Sequence, residues 1–133
     1  MWSAVLEDPL RYGGTAVFVA EREGEVIGFG ACGSQRDEAL RAQGFEGEIG
    51  AVYVLRTHQG AGAGRALMRL MARRMLADGR AAASLWVLTT NAPARAFYEK
   101  LGGTLEGEKA EDHDGTTLHE VAYGWRDLGA LAA

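Results

Sequence analysis

The sequence predicts an α/β fold of the α+β type, a mixed central sheet flanked by helices in the order ββ-βα-βα-ββ, and three observations carry that prediction. Runs of β-branched and aromatic residues, separated by turn signals, occupy both ends of the chain. Two segments with helical spacing of apolar residues lie between strands in the middle. The densest glycine, Gln59-Gly60-Ala61-Gly62-Ala63-Gly64, falls where a strand gives way to a helix. With 133 residues, 47% of them hydrophobic and 24% charged, the chain fits one domain over 1–133 around a single core.

Trp2, Val5 and Leu6 fall at i, i+3 and i+4 ahead of Asp8-Pro9, which reads as the last turns of an amphipathic helix over Trp2 to Leu10. Thr15 to Arg22 and Val26 to Gly33 read as two strands of a hairpin turning at Glu23-Gly24-Glu25. Gln35 to Gly47 is charged, with a short helical pattern from Asp37 to Gln43, and reads as a surface connection. Glu48 to Leu55 is a strand. Beyond the glycines, Leu67, Met68, Leu70, Met71, Met75 and Leu76 recur at helical spacing until Asp78-Gly79. Ala83 to Thr90 is an apolar strand, Asn91 precedes a helix from Ala92 to Leu101, and Gly102-Gly103 stops it. Strands near Thr104 to Ala110 and Thr116 to Trp125 flank a turn at Asp112-His113-Asp114-Gly115.

Composition excludes several classes. A net charge of -4, from 14 Lys plus Arg against 18 Asp plus Glu, has the wrong sign for a dedicated nucleic-acid binder. No apolar run reaches the ~18 residues of a membrane span, and no basic start precedes an apolar block, so no membrane partner or targeting is expected. Cys32, the single cysteine, makes neither an intramolecular disulfide nor a zinc cluster, which suits a reducing cytoplasm. His58, His113 and His119 lack metal-ligand spacing, so no metal is expected. Cys32 reads as a small apolar residue of its strand, since no base is placed near it.

Alternating glycines before a helix let backbone N–H groups converge on an anion while the helix dipole adds positive potential. The loop therefore predicts a phosphate site. It is not a Walker loop, because Gly64 is followed by Arg65-Ala66, and not a dinucleotide fingerprint, because neither Gly60 nor Gly62 has glycine five residues on. The competing reading, a tight turn without ligand, runs against the backbone entropy that each glycine costs.

Gln59-x-x-Gly62-x-Gly64, with Glu48-Ile-Gly-Ala-Val-Tyr-Val before it and Ala66-Leu67-Met68 after it, resembles the Q/R-x-x-G-x-G/A signature of the GCN5-related N-acetyltransferases, the GNAT family. Leu85-Trp86-Val87, Asn91 and Ala94-Arg95-Ala96-Phe97-Tyr98-Glu99-Lys100-Leu101-Gly102 are similar to its other characteristic segment, and Glu25-Val-Ile-Gly-Phe-Gly to its third strand. The resemblance implies a GNAT fold in which the usual N-terminal strand and helices are largely missing. It implies acetyl-CoA as cosubstrate, with its pyrophosphate on the amides of Gln59, Gly60, Ala61, Gly62, Ala63, Gly64 and Arg65. The pantetheine arm would run beside Val52, Tyr53 and Val54 like an added strand. Arg65 or Arg56 adds charge at the phosphates, or stays solvated. Asn91 has two readings, contact to pantetheine and helix N-cap.

Acetyl transfer to an amine needs a base for the ammonium, a donor to the oxyanion and a proton for the thiolate. Glu48, at the start of the glycine-loop strand, is the expected base, with Glu46 the nearest substitute and an exposed strand-end glutamate the bland alternative. Tyr98 matches the family's tyrosine that protonates the CoA sulfur. Phe97 and Leu101 would face the core together and turn Tyr98 toward a cleft; the alternative is a core tyrosine with a satisfied hydroxyl. A strand N–H, that of Val54, would hold the oxyanion. The implied function is direct transfer of acetyl from acetyl-CoA to a primary amine of a small molecule or peptide. The alternative is a noncatalytic acyl-CoA sensor or structural module. A minimal sheet leaves an edge or face that a second copy would cover, so a homodimer is expected.

Overall fold

The structure is a computed structural model and describes residues 2–6, 15–58 and 62–133. Strands β1 (Trp2–Leu6), β2 (Ala16–Arg22) and β3 (Glu25–Ser34) are followed by a short helix α1 (Glu38–Ala42), strand β4 (Gly47–Val54) and a 3₁₀ turn at Arg56–His58. Then come α2 (Ala63–Ala77), β5 (Ala83–Leu88), α3 (Ala92–Lys100), the hairpin β6 (Thr104–His113) and β7 (Thr116–Trp125), and α4 (Leu128–Ala132). Among the described residues seven strands join one sheet in the order β1-β2-β3-β4-β5-β7-β6. Among these strands β4 and β5 run parallel, and the other neighbours are antiparallel.

The predicted ββ-βα-βα-ββ order holds from β2 to β7, and α1 stands where the short helical pattern lay. The helix expected over Trp2 to Leu10 is corrected: Trp2–Leu6 is a strand paired antiparallel with β2, from Trp2↔Arg22 to Leu6↔Phe18. Three apolar residues at i, i+3 and i+4 are compatible with a helix, but a five-residue helix nucleates poorly, whereas the same backbone completes a ladder against a strand already in place. Residues 7–10 lie outside the described residues. The N-terminal strand that the resemblance treated as missing is therefore present. The C-terminal helix α4 was not foreseen; Asp127 caps it through Gly129 N–H at 2.9 Å, and Leu128 and Leu131 are buried.

The main core lies on one face of the sheet, under α2, α3 and α4, and is built from Phe18, Ile27, Ile49, Leu67, Met71, Met75, Leu85, Tyr123 and Trp125 among others. Helix α2 comes close because the strands beneath it lack side chains at two contacts. A Cβ on Gly30 would stand 2.8 Å from Met71 Cε, and one on Gly47 would stand 2.7 Å from Met75 Sδ. A smaller core of Leu40, Phe45, Ala82, Ala122 and Trp86 covers part of the other face beneath α1.

Two irregularities shape the middle of the sheet. Ala31 pairs with Ala51 while Cys32 pairs with Ile49, so Gly50 is an extra residue, a bulge in β4. Gly47 and Ile49 face α2 before it, and Val52 and Val54 pack on the main core after it, so the bulge resets which residues face the helices. Second, β4 and β5 pair only at Gly47↔Ala83 and Glu48↔Ser84 and then part. Beyond that vertex β5 no longer pairs with β4.

Candidate active site

On the helix side of the parted strands lies a hollow of ≈ 400 Å³ lined by Val52, Val54, Gly62, Gly64, Arg65, Pro93, Ala94, Phe97, Tyr98 and Lys100. The expected loop thus reaches the site from Gly62 onward, whereas Gln59, Gly60 and Ala61 lie outside the described residues. Gly62 is the N-cap of α2 with φ +89, a left-handed conformation that favours glycine, and no side chain caps the helix. The first intrahelical bond runs from Ala66 N–H to Gly62 O at 3.1 Å, so the amides ahead of it are the helix's orphan donors. Ala63 is buried as the first helical residue, and a Cβ on Gly64 would meet the Phe97 ring at 3.2 Å. That small contact seats α2 against α3. Arg65 lines the hollow and Arg56 does not, and Lys100, which sequence reasoning missed, adds a second cation there.

Tyr98 is the buried residue of α3, at 8% exposure, while Phe97 and Leu101 are only partly buried. The expectation that Phe97 and Leu101 turn inward and leave Tyr98 on the flank is corrected to that extent, because Tyr98 leans into an aromatic cluster. Its ring lies 5.4 Å from Phe97, 6.1 Å from Tyr123 and 6.2 Å, edge-on, from Trp125. Burial pushes its phenol above the usual tyrosine value. Tyr98 lines the hollow, and Tyr123 beside it is the hydrogen-bonded core tyrosine, which donates to Glu99 and accepts from Arg95 at 3.0 Å. Arg95 also donates to Thr89 O at 3.0 Å, so α3 is tied to β7 through Tyr123 and to the turn just past β5 through Thr89. Asn91 accepts from Ala94 N–H at 3.3 Å as the N-cap of α3 and does not line the hollow.

Glu48 lies on the opposite face of the sheet. Its carboxylate is nearly buried and held by Arg36, whose Nε donates to Oε1 at 2.8 Å, Nη2 to Oε2 at 3.2 Å and backbone N–H to Oε1 at 3.2 Å. That contact holds the Arg36 guanidinium above its ordinary value. Glu48 lines a groove of ≈ 610 Å³ with Asp37, Gly50, Trp86, Lys109 and Glu120, but not Tyr98's hollow. Glu46 is exposed and lines neither. Tyr53 also points to this outer face, its ring 6.0 Å from Phe29, so only its backbone belongs to the β4 edge.

The vertex between these two faces has a clamp that the sequence did not reveal. Gln35, 1% exposed, donates to Gly47 O at 3.1 Å and to Ser84 Oγ at 2.7 Å, while its Oε1 accepts from Asp37 N–H at 3.2 Å. It therefore holds β4 to β5 at the two rungs where they pair. Cys32 is buried, and burial pushes its thiol up to about 11, against activation as a nucleophile. His113 and His119 are exposed, His113 beside Glu111 at 3.3 Å, and the side chain of His58 is outside the described residues.

A family profile described as the acetyltransferase (GNAT) family matches residues 2–103, and the chain belongs to that family. An uncharacterised N-acetyltransferase of Bacillus subtilis (strain 168), YuaI, is 39% identical over 116 residues, covering 86% of this chain and 65% of that protein. A mycothiol acetyltransferase of Streptomyces griseus subsp. griseus is 36% identical over 87 residues, covering 65% of this chain and 26% of that protein. Among solved structures, nourseothricin acetyltransferase superposes with a TM-score of 0.71 at 27% identity, covering 83% of this chain and 64% of that one. The fold alone is shared with yncA from Salmonella typhimurium, solved with acetyl-CoA, at a TM-score of 0.69 and 23% identity over 90% of this chain and 68% of that one. The chain thus spans 65% and 26% of the length of the two curated relatives named.

Proposed function

We propose that the chain is an acetyl-CoA-dependent N-acetyltransferase acting directly on a primary amine of a small molecule or peptide. The observation that carries this reading is the parting of β4 and β5 between two faces: one has an anion-ready helix N-terminus and Tyr98, the other has Glu48. The residues fit acetyl-CoA. An uncapped helix start at left-handed Gly62, with Arg65 and Lys100 beside it, suits phosphates, and Val52, Val54 and Phe97 line an apolar way to the vertex. The β4 backbone past its two rungs with β5 suits the amides of a pantetheine arm.

Acetyl-CoA supplies the activated thioester. Glu48 takes a proton from the incoming ammonium, directly or through water, because an alkylamine with a pKa near ~10.4 is protonated at neutral pH. Tyr98 gives its phenolic proton to the departing sulfur; a phenol whose pKa burial raises stays protonated for that task. The β4 backbone past the Gly50 bulge stabilises the carbonyl oxygen. A cytoplasmic setting suits the one buried, free thiol. A homodimer would cover Val26, Phe29 and Tyr53, which are 52%, 41% and 52% exposed; a monomer in sedimentation equilibrium at tens of micromolar would remove it.

The test is release of CoA thiol from acetyl-CoA across a panel of amines and peptides, with mass detection of the acetylated product. Release that depends on Tyr98 is expected. Protein that binds acetyl-CoA but releases no thiol with any amine would be the acyl-CoA sensor instead.

A further inference from the structure

We propose that Arg36 is a specificity-determining residue: its guanidinium occupies the seat of the acceptor's ammonium on Glu48, so the site admits acceptors that arrive as cations. The inference rests on the transferase reading for what the seat is used for, and on geometry for the seat itself. Arg36 and Glu48 are unequally embedded. The Arg36 side chain is 80% exposed, whereas the Glu48 side chain it grips with two guanidinium nitrogens is 9% exposed. One partner is free to swing into water; the other is not.

The carboxylate keeps its place when the side chain leaves, because the backbone N–H of Arg36 holds Oε1 independently of the guanidinium. That backbone is itself anchored, since Gln35 next to it is buried and bonded across the β4–β5 vertex. The guanidinium also lies against the bulge: a Cβ on Gly50 would stand 4.0 Å from Arg36 Nη2. Two separate hollows on this face, of ≈ 270 and ≈ 610 Å³, have Arg36, Glu48 and Gly50 in common. Arg36 therefore forms the partition between them, directly over the point where the strands part. When an ammonium replaces the guanidinium, the buried carboxylate stays paired and the two hollows merge. A neutral molecule of the same shape has no such exchange, since displacing Arg36 would leave a nearly buried carboxylate without its cation, a costly state.

The second cation of the groove shows what such a seat looks like when it is occupied. Lys109 Nζ sits 4.3 Å from the centre of the Trp86 ring, between Glu111 at 3.3 Å and Glu120 at 3.5 Å. It is only 32% exposed and has two carboxylates of its own, so it is a fixed wall, whereas Arg36 has one carboxylate and open water. The exchangeable cation is Arg36.

The test compares wild type, Arg36→Ala and Arg36→Gln, the last keeping a hydrogen-bond donor for Glu48 in case the alanine variant folds poorly, with Arg36→Lys as the charge-conserving control. Calorimetry of the CoA-loaded protein uses benzylamine, a cation at neutral pH, and benzyl alcohol, its neutral counterpart. Arg36→Gln and Arg36→Ala should bind benzylamine about tenfold tighter than wild type, with benzyl alcohol unchanged and Arg36→Lys close to wild type. Guanidinium ion at millimolar concentration should compete with benzylamine in the two neutral variants and not in wild type. In turnover, KM for the amine should fall about tenfold while kcat moves less. Benzylamine affinity that is unchanged, weaker or absent in folded Arg36→Gln would overturn the inference. Absence of thiol release by wild type would instead remove the transferase reading and leave the seat to the calorimetry.

Discussion

Tyr98 and Tyr123, their rings 6.1 Å apart, show how residue context separates two tyrosines of one aromatic cluster. Both are buried, but Tyr123 is bonded to Glu99 and Arg95, whereas Tyr98 lines the hollow. Tyr98→Phe should lower turnover by roughly 10²- to 10⁴-fold, the span of general acid catalysis, and leave acetyl-CoA affinity intact. Equal rates in the two proteins, with the chemical step limiting, would take Tyr98 out of the mechanism. At this scale the sequence was informative about residue type and poor on orientation. That Tyr98 borders a hollow was legible from its place in the Asn91 to Gly102 segment, but helical spacing alone put Phe97 and Leu101, not Tyr98, inside. A nine-residue helix meeting a curved sheet buries the residue that finds aromatic partners, here Tyr123 and Trp125. Arg36 was passed over because its partner, Glu48, lies twelve residues away across a hairpin.

Elements meet at the vertex of β4 and β5, and two changes test how that meeting is built. Gly62→Asp places a carboxylate at a left-handed N-cap beside the helix's orphan amides, where an anionic ligand is proposed to sit. CoA binding should be lost by calorimetry while the far-ultraviolet circular dichroism stays native; unchanged affinity in the folded variant would move the phosphate site elsewhere. Gln35→Leu should cost about 2–3 kcal/mol in urea unfolding, because it leaves the buried Gly47 carbonyl and Ser84 hydroxyl without their donor or partner. Stability equal to wild type would show that the clamp contributes nothing. α2, β5 and α3 were all legible, since period and punctuation are local. β1 was not: five residues carry too little period to separate helix from strand, and the neighbouring β2 decided the matter.

Across the whole molecule the sheet divides the chemistry, with the hollow of Tyr98 and the main core on one face and Glu48, Arg36 and Trp86 on the other. The core also sets a pH limit on the fold. Burial raises the Cys32 thiol from 9.0 to about 11, so between those values the unfolded chain gives up its proton and the folded chain keeps it. The folded state then binds more protons than the unfolded one, and stability falls as pH rises. The contribution is complete below pH 9 and is lost by pH 11, about 3 kcal/mol in all. Urea unfolding of wild type and Cys32→Ala between pH 8 and 11 checks this: the wild type should lose more stability than the variant across that window. Parallel curves would mean that the thiol does not titrate with unfolding.

By itself, the sequence determined the ββ-βα-βα-ββ order from β2 to β7, the family, and the succession of strand and helix around the glycines, because each depends on residues adjacent in the chain. Helical period, capping residues and alternating glycines are written within a few positions of one another. Only the tertiary structure decided that β1 is a strand and that Gly50 resets the faces of β4. It also decided that β4 and β5 part after two rungs, and that Gln35 and Arg36 stand at the point of parting. Those features depend on contacts such as Gln35 to Ser84, forty-nine residues apart, and on packing that places Met71 and Met75 over Gly30 and Gly47. Spacing along the chain carries no record of such contacts, since they exist only once the sheet has closed the distance between residues that the sequence keeps far apart.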